Sequence, residues 1–157
     1  MRTQPMTANI IELAKEMRAT YERGREEGVG LFIGSFRFPL SGSEGASRYF
    51  AYMVMTRYPE CRVRLVKGYD QLRLEQHFWV VVDDRVYDLA SDRFDGMSAP
   101  VMGESDTPLS ARFSERRFID GDAIFENWHP GERFQKARVL RYINHRLAQP
   151  HLHLVKG

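Results

Sequence analysis

The stretch from Leu74 to Leu89 constrains this chain more tightly than any other. Leu74 to Val82 is dense in apolar and aromatic residues, Asp83-Asp84 has turn chemistry, and Arg85-Val86-Tyr87-Asp88-Leu89 runs back, so the segment reads as a β-hairpin. Strand side chains alternate between faces. An even-numbered loop, such as a two-residue turn at Asp83-Asp84, therefore puts His77, Trp79 and Asp88 on one face. Asp88 then stands opposite Trp79 and diagonal to His77, within side-chain reach. A carboxylate there accepts the proton-bearing nitrogen of the imidazole, fixes its tautomer and leaves the other nitrogen free as a base. Two members of a hydrolytic triad are thus in register. The nucleophile has to come from elsewhere.

Around the hairpin the pattern changes period. Asn9 and Glu12 form a box-like pair at the start of a helix that carries Ile10, Leu13, Ala14, Met17 and Tyr21 on one stripe, with Gly24 and Gly28 stopping it. Leu31 to Phe38 is an apolar connector, partly extended. Ser41 and Glu44 give a second capping signature, opening a helix with Ala46, Phe50, Met53 and Val54 on one face that ends before Pro59. Arg62 to Val66 alternates like a strand broken by Gly68, whereas Asp92 to Phe113 is rich in Gly, Ser, Pro and Asp and reads mostly as loop. A short helix is expected within Asp120–Trp128. A final helix over about 132–147 has Phe134, Ala137, Leu140, Ile143 and Leu147 on one stripe. Helices, then strands, then helices predict an α+β fold with a small antiparallel sheet in a single domain, its core about 31–113 and a C-terminal helical extension about 119–147.

Composition narrows the function classes. Lys plus Arg is 23 against 21 Asp plus Glu, a net charge of +2, which gives no support to a nucleic-acid or membrane footprint over the whole domain. The last helix carries Arg133, Lys136, Arg138, Arg141 and Arg146, a pattern that is usually a solvated face. One cysteine, Cys61, excludes an internal disulfide and suits a reducing compartment. With no apolar run near the ~20 residues of a membrane span and no apolar signal core, the expectation is a cytoplasmic protein, export by another route staying open. His145, His151 and His153 sit without a carboxylate or thiol at ligand spacing, so no metal and no cofactor is expected.

Two runs carry a family resemblance. Phe38-Pro39-Leu40-Ser41-Gly42-Ser43-Glu44-Gly45-Ala46-Ser47 resembles the segment F-P-x-G-x-C-G-x-A-S of small bacterial proteins in the papain-like, transglutaminase-like superfamily. The run from His77 to Phe94 resembles the same proteins' His-x-Trp strand and Asp-bearing strand, and the likeness covers about residues 36–113. The resemblance implies a nucleophile-bearing helix packed on a small antiparallel sheet. His77 would be the general base, Asp88 its orienting partner, and a peptide or protein the substrate. The position of the family's cysteine is occupied by Ser43, whose backbone N–H is then the expected oxyanion donor. Gln76 and Trp79 are secondary candidates for the oxyanion and the groove wall.

That serine changes the chemistry. A thiol at a helix N-terminus beside an imidazole ionises readily, but a hydroxyl holds its proton far more tightly and must lose it during attack. The chain as written is therefore expected to be inactive or very slow. A silenced enzyme and a natural protein that has abandoned or altered the chemistry both fit. Without the resemblance, Ser43 reads as a polar residue satisfying helix donors, His77 as a core histidine, Trp79 as packing, and Asp92 as a turn-closing residue.

Overall fold

The computed structural model describes residues 3–148. Three helices, α1 (Thr3–Glu27), α2 (Ser43–Arg57) and α3 (Lys136–Leu147), accompany five strands: β1 (Val63–Asp70), β2 (Glu75–Val82), β3 (Arg85–Asp88), β4 (Val101–Glu104) and β5 (Glu115–Asp120). The strands form one sheet in the order β4-β3-β2-β1-β5, every pairing antiparallel. No described helix is long and apolar enough to cross a membrane.

The first helix buries the stripe its sequence announces: Ile10, Leu13, Ala14, Met17 and Tyr21 are all in the core. It begins at Thr3, so Asn9 lies inside the helix and the Asn9–Glu12 box does not form. Gly28, at φ +74°, ends it. The Gly28 N–H donates to Arg25 O and the Val29 N–H to Gly24 O, a left-handed closure that favours glycine. Leu31 to Phe38 then makes turns and a 3-10 segment at Ser35–Arg37 with no strand, burying Leu31, Phe32 and Phe38 beneath α1 and α2. Each such fully buried large apolar side chain contributes roughly 1.5–3 kcal/mol.

The expected capping box of α2 is also absent. The N-cap is Gly42 in the left-handed region at φ +93°, and the Ser41 hydroxyl donates instead to Gly34 O at 2.8 Å. Glu44 pairs with Arg48, which also donates to Ile124 O at 2.6 Å and lies over the Trp128 ring. This largely buried cation ties α2 to the 121–128 segment, which is a 3-10 turn at Gly121–Ala123 followed by turns, where a short helix was expected.

Strand β1 runs through Gly68 to Asp70. Gly68 does not break the strand. A Cβ there would stand 2.8 Å from both Phe113 Cβ and Trp79 Cζ3, so the missing side chain is what lets Trp79 lie on the sheet. Strand β4 lies within the 92–113 stretch whose composition predicts loop, and β5 follows directly after that stretch. The last helix starts at Lys136, after a 3-10 turn at 132–134, and its buried face is Val139, Ile143 and Leu147, with Ala137 exposed. Arg133, in that 3-10 turn, stacks on Phe36; on the helix itself Lys136 lies over Phe125 and Arg146 pairs with Glu27, whereas Arg138 and Arg141 face solvent.

The sheet separates two apolar clusters. On one face Leu65, Phe78, Val80, Val82 and Tyr87 pack with the helices; on the other Val66, Trp79 and Val86 pack with Phe94, Val101, Leu109 and Phe113 from the segment after β3.

Candidate functional site

Strands β2 and β3 are joined by Asp83-Asp84, both at positive φ (47° and 70°), a two-residue turn whose twist matches the strands. Val82 pairs with Arg85, Val81 with Val86 and Val80 with Tyr87. Continuing that register sets Asp88 across from Trp79, so His77, Trp79 and Asp88 share a face. It is the face turned away from α2.

There His77 Nε2 lies 2.8 Å from Asp88 Oδ2, both residues completely buried. Asp88 Oδ1 accepts the Ala90 N–H at 3.1 Å, so each carboxylate oxygen has a donor, as a buried carboxylate requires. Ser91 pins the backbone behind it, donating through Oγ to Asp88 O and accepting the Val101 N–H. The imidazole is held edge-on to Phe94 (4.9 Å between centroids) and tilted against Phe113 and Trp79. With Nε2 committed to Asp88, Nδ1 is buried with no hydrogen-bond partner.

Ser43 opens α2 on the opposite side of the β2 backbone. It meets the hairpin at the edge of β2, past the point where β3 ends. There the Phe78 N–H has no β3 residue to pair with and donates to Ser43 Oγ at 3.3 Å. The hydroxyl therefore touches the peptide joining His77 to Phe78. It makes no hydrogen bond to the imidazole.

The remaining sequence candidates are placed differently. Trp79 is 2 % exposed, beneath the Arg116 guanidinium and against Phe113, and offers no surface to a groove. Gln76 is exposed, on the face that carries α2, and lines a pocket with Tyr69 and Leu74. Asp92 does more than close a turn: Arg18 of α1 grips it through both oxygens at 2.7 and 2.8 Å and also donates to Leu89 O. Cys61 lies far from Ser43 in the fold, its thiol directed at Met6 Sδ. Burial, followed by Asp83, pushes its pKa up to about 12, so it is no ready nucleophile.

Sequence reasoning missed Arg93. Its guanidinium spans from Leu40 O, just ahead of Ser43, to Gln76 O, just ahead of His77, both at 3.3 Å. The signal was present, since Arg93 sits inside the Asp92-Arg93-Phe94 run. Among the described residues no three His, Cys, Asp or Glu side chains gather as metal ligands, and His145 is exposed on α3. His151 and His153 lie outside the described residues.

Compared with family models, curated proteins and solved structures, the chain matches none.

Proposed function

We propose that this chain carries an acyl-transfer site of the papain-like, transglutaminase-like kind, working on an amide or acyl bond of a peptide or protein in a reducing, cytoplasmic setting, with Ser43 where the chemistry asks for cysteine. The observation that supports it is the 2.8 Å bond from His77 to Asp88, which commits Nε2 and leaves Nδ1 bare on the residue whose following peptide N–H bonds residue 43. With a cysteine at 43, the α2 N-terminus and the imidazole both favour the thiolate. Its sulfur would attack the carbonyl carbon. The tetrahedral oxyanion would be met by the residue 43 N–H, one of the donors left free in the first turn of a helix. His77, having taken the thiol proton, would pass it to the leaving amine, giving a thioester and free amine. It would then deprotonate water or an acceptor amine to release the acyl group. Asp88 would orient the ring and stabilise its cation throughout.

With serine in place those influences create no alkoxide, and the hydroxyl is engaged by the Phe78 N–H. The chain as written is then inactive or very slow. A second reading has its own observation: His77 is wholly buried, as a core histidine of a non-catalytic peptide-binding protein would be. The two separate in the Ser43→Cys protein treated with p-nitrophenyl acetate. The acyl-transfer reading expects a burst of nitrophenol stoichiometric with protein, lost on adding His77→Ala. No burst, alongside peptide binding by the unaltered chain, would favour the binding protein.

A further inference from the structure

Next to the loop that leads into α2 the surface opens into a pocket of about 520 Å³, lined by Leu40, Arg73, Glu75, Arg93, Phe94 and Arg112, with Asp95 at its exposed rim. The three guanidinium groups are unequally neutralised. Arg112 is well served, donating to Asp70 at 2.9 Å and to Glu75 at 2.8 Å. Arg73 reaches Asp70 at 3.1 Å and is 60 % exposed, open to solvent. Arg93 is only 18 % exposed, and its ion pair with Glu75, a carboxylate already serving Arg112, is a long 3.4 Å. Its other bonds go to the two neutral carbonyls, and its Nε–H has no acceptor. Burial lowers the Arg93 pKa, with Glu75 and Asp88 opposing and Arg112 reinforcing. A buried cation short of anionic partners gains most from one more. The Phe94 ring lies against both Arg93 (4.3 Å) and Arg112 (4.5 Å), holding the two planar groups at the pocket wall.

We infer that this pocket is an anion subsite, which takes a carboxylate of an acidic peptide beside the bond under attack, with Arg93 as its principal donor. The inference rests on the acyl-transfer reading of Ser43, His77 and Asp88. Because Arg93 is tied to Leu40 O, three residues before Ser43, and to Gln76 O, next to His77, a carboxylate drawn to it stands beside the segments that carry both residues. The Glu75 carboxylate, released from its long contact, stays with Arg112.

Iodoacetate and iodoacetamide present the same reactive carbon with and without a carboxylate, so their rates on the Ser43→Cys protein test the subsite. Iodoacetate should react faster, by about tenfold, with a rate that saturates and is competed by N-acetylglutamate, and Arg93→Gln should bring the ratio toward unity. Fast, acid-shifted alkylation by both reagents at equal rates would overturn the subsite and leave the acyl-transfer reading standing. Iodoacetamide reacting no faster than with an ordinary thiol would instead remove that reading. Titrating N-acetylglutamate into the unaltered chain, with chemical shifts of the Arg93 and Arg112 side chains followed, needs no variant. Salt-sensitive shifts at both support the subsite, and unmoved signals overturn it.

Discussion

The Ser43 hydroxyl accepts a backbone hydrogen bond from Phe78, while on the other face of the sheet the imidazole of His77 holds a buried nitrogen with no hydrogen-bond partner. The proposed catalysis by His77 depends on which nitrogen carries the proton. Asp88 lies against Nε2, so the neutral ring should be protonated there and bare at Nδ1. Nitrogen-15 NMR of the unaltered chain should show that tautomer for His77; a proton on Nδ1 would contradict it. In the Ser43→Cys background, Asp88→Asn should slow acylation by roughly 10²–10⁴ by releasing the tautomer. Cys61 is the control thiol. Burial raises its pKa to about 12, so at pH 8 it should resist alkylation in the folded protein and react on unfolding. The folded thiol holds its proton more tightly than the unfolded one, so this contribution to stability is complete below about pH 8.5 and is lost as pH rises toward the folded value. The His77-to-Asp88 pairing was legible because strand alternation makes it arithmetic. The partners of Arg93 were not, because they are backbone carbonyls that any residue provides.

Among the elements, α2 and the β1–β2 hairpin carry the sharpest expectations. Gly45 sits in the first turn of α2 against Phe32, and a Cβ there would lie 2.3 Å from Phe32 Cβ. Alanine gains about 1 kcal/mol of helix propensity over glycine, but overpacking against a backbone-proximal atom costs about 1–3 kcal/mol. Gly45→Ala should therefore lower Tm, and a rise would show that Phe32 moves freely. At the hairpin turn, burial alone would raise the Asp70 carboxyl, yet hydrogen bonds from Arg112 and Arg73 and from backbone amides hold it below the usual range. A depressed folded pKa gives stability that is present above the unfolded value of about 4 and lost as pH falls through the folded one. Asp70→Asn should flatten the acid limb of a stability–pH curve accordingly. The amphipathic stripe of α1 and the β2–β3 hairpin were readable because their burial follows a single period. Strand β5 was not, since Glu115 to Asp120 is a mostly exposed edge strand that needs no apolar alternation. Nor was β4, four residues long with Gly103 at φ +80°. The Ser41–Glu44 signature misled because Gly42, in the left-handed region, takes the cap position that a serine one residue earlier would have filled.

For the whole molecule, the proposed site depends on segments far apart in sequence being held together. Arg18 fastens α1 to the turn after β3 through Asp92 and Leu89 O, close behind Asp88. Replacing it with leucine leaves the Asp92 carboxylate largely buried and unpaired. It should cost about 2–3 kcal/mol, read as a shift of the urea midpoint with little change in slope. No periodicity exposes that pair, which spans 74 positions and needs the tertiary fold to be recognised. The same convergence brings α2 to the edge of β2, and it has the most direct test. The Ser43→Cys protein should be alkylated by iodoacetamide at residue 43 with a rate that persists well below the ordinary thiol pKa of about 8.5, and His77→Ala should return the profile to that ordinary value. A profile centred near 8.5 and indifferent to His77→Ala would mean that residue 43 and the imidazole do not act on one another.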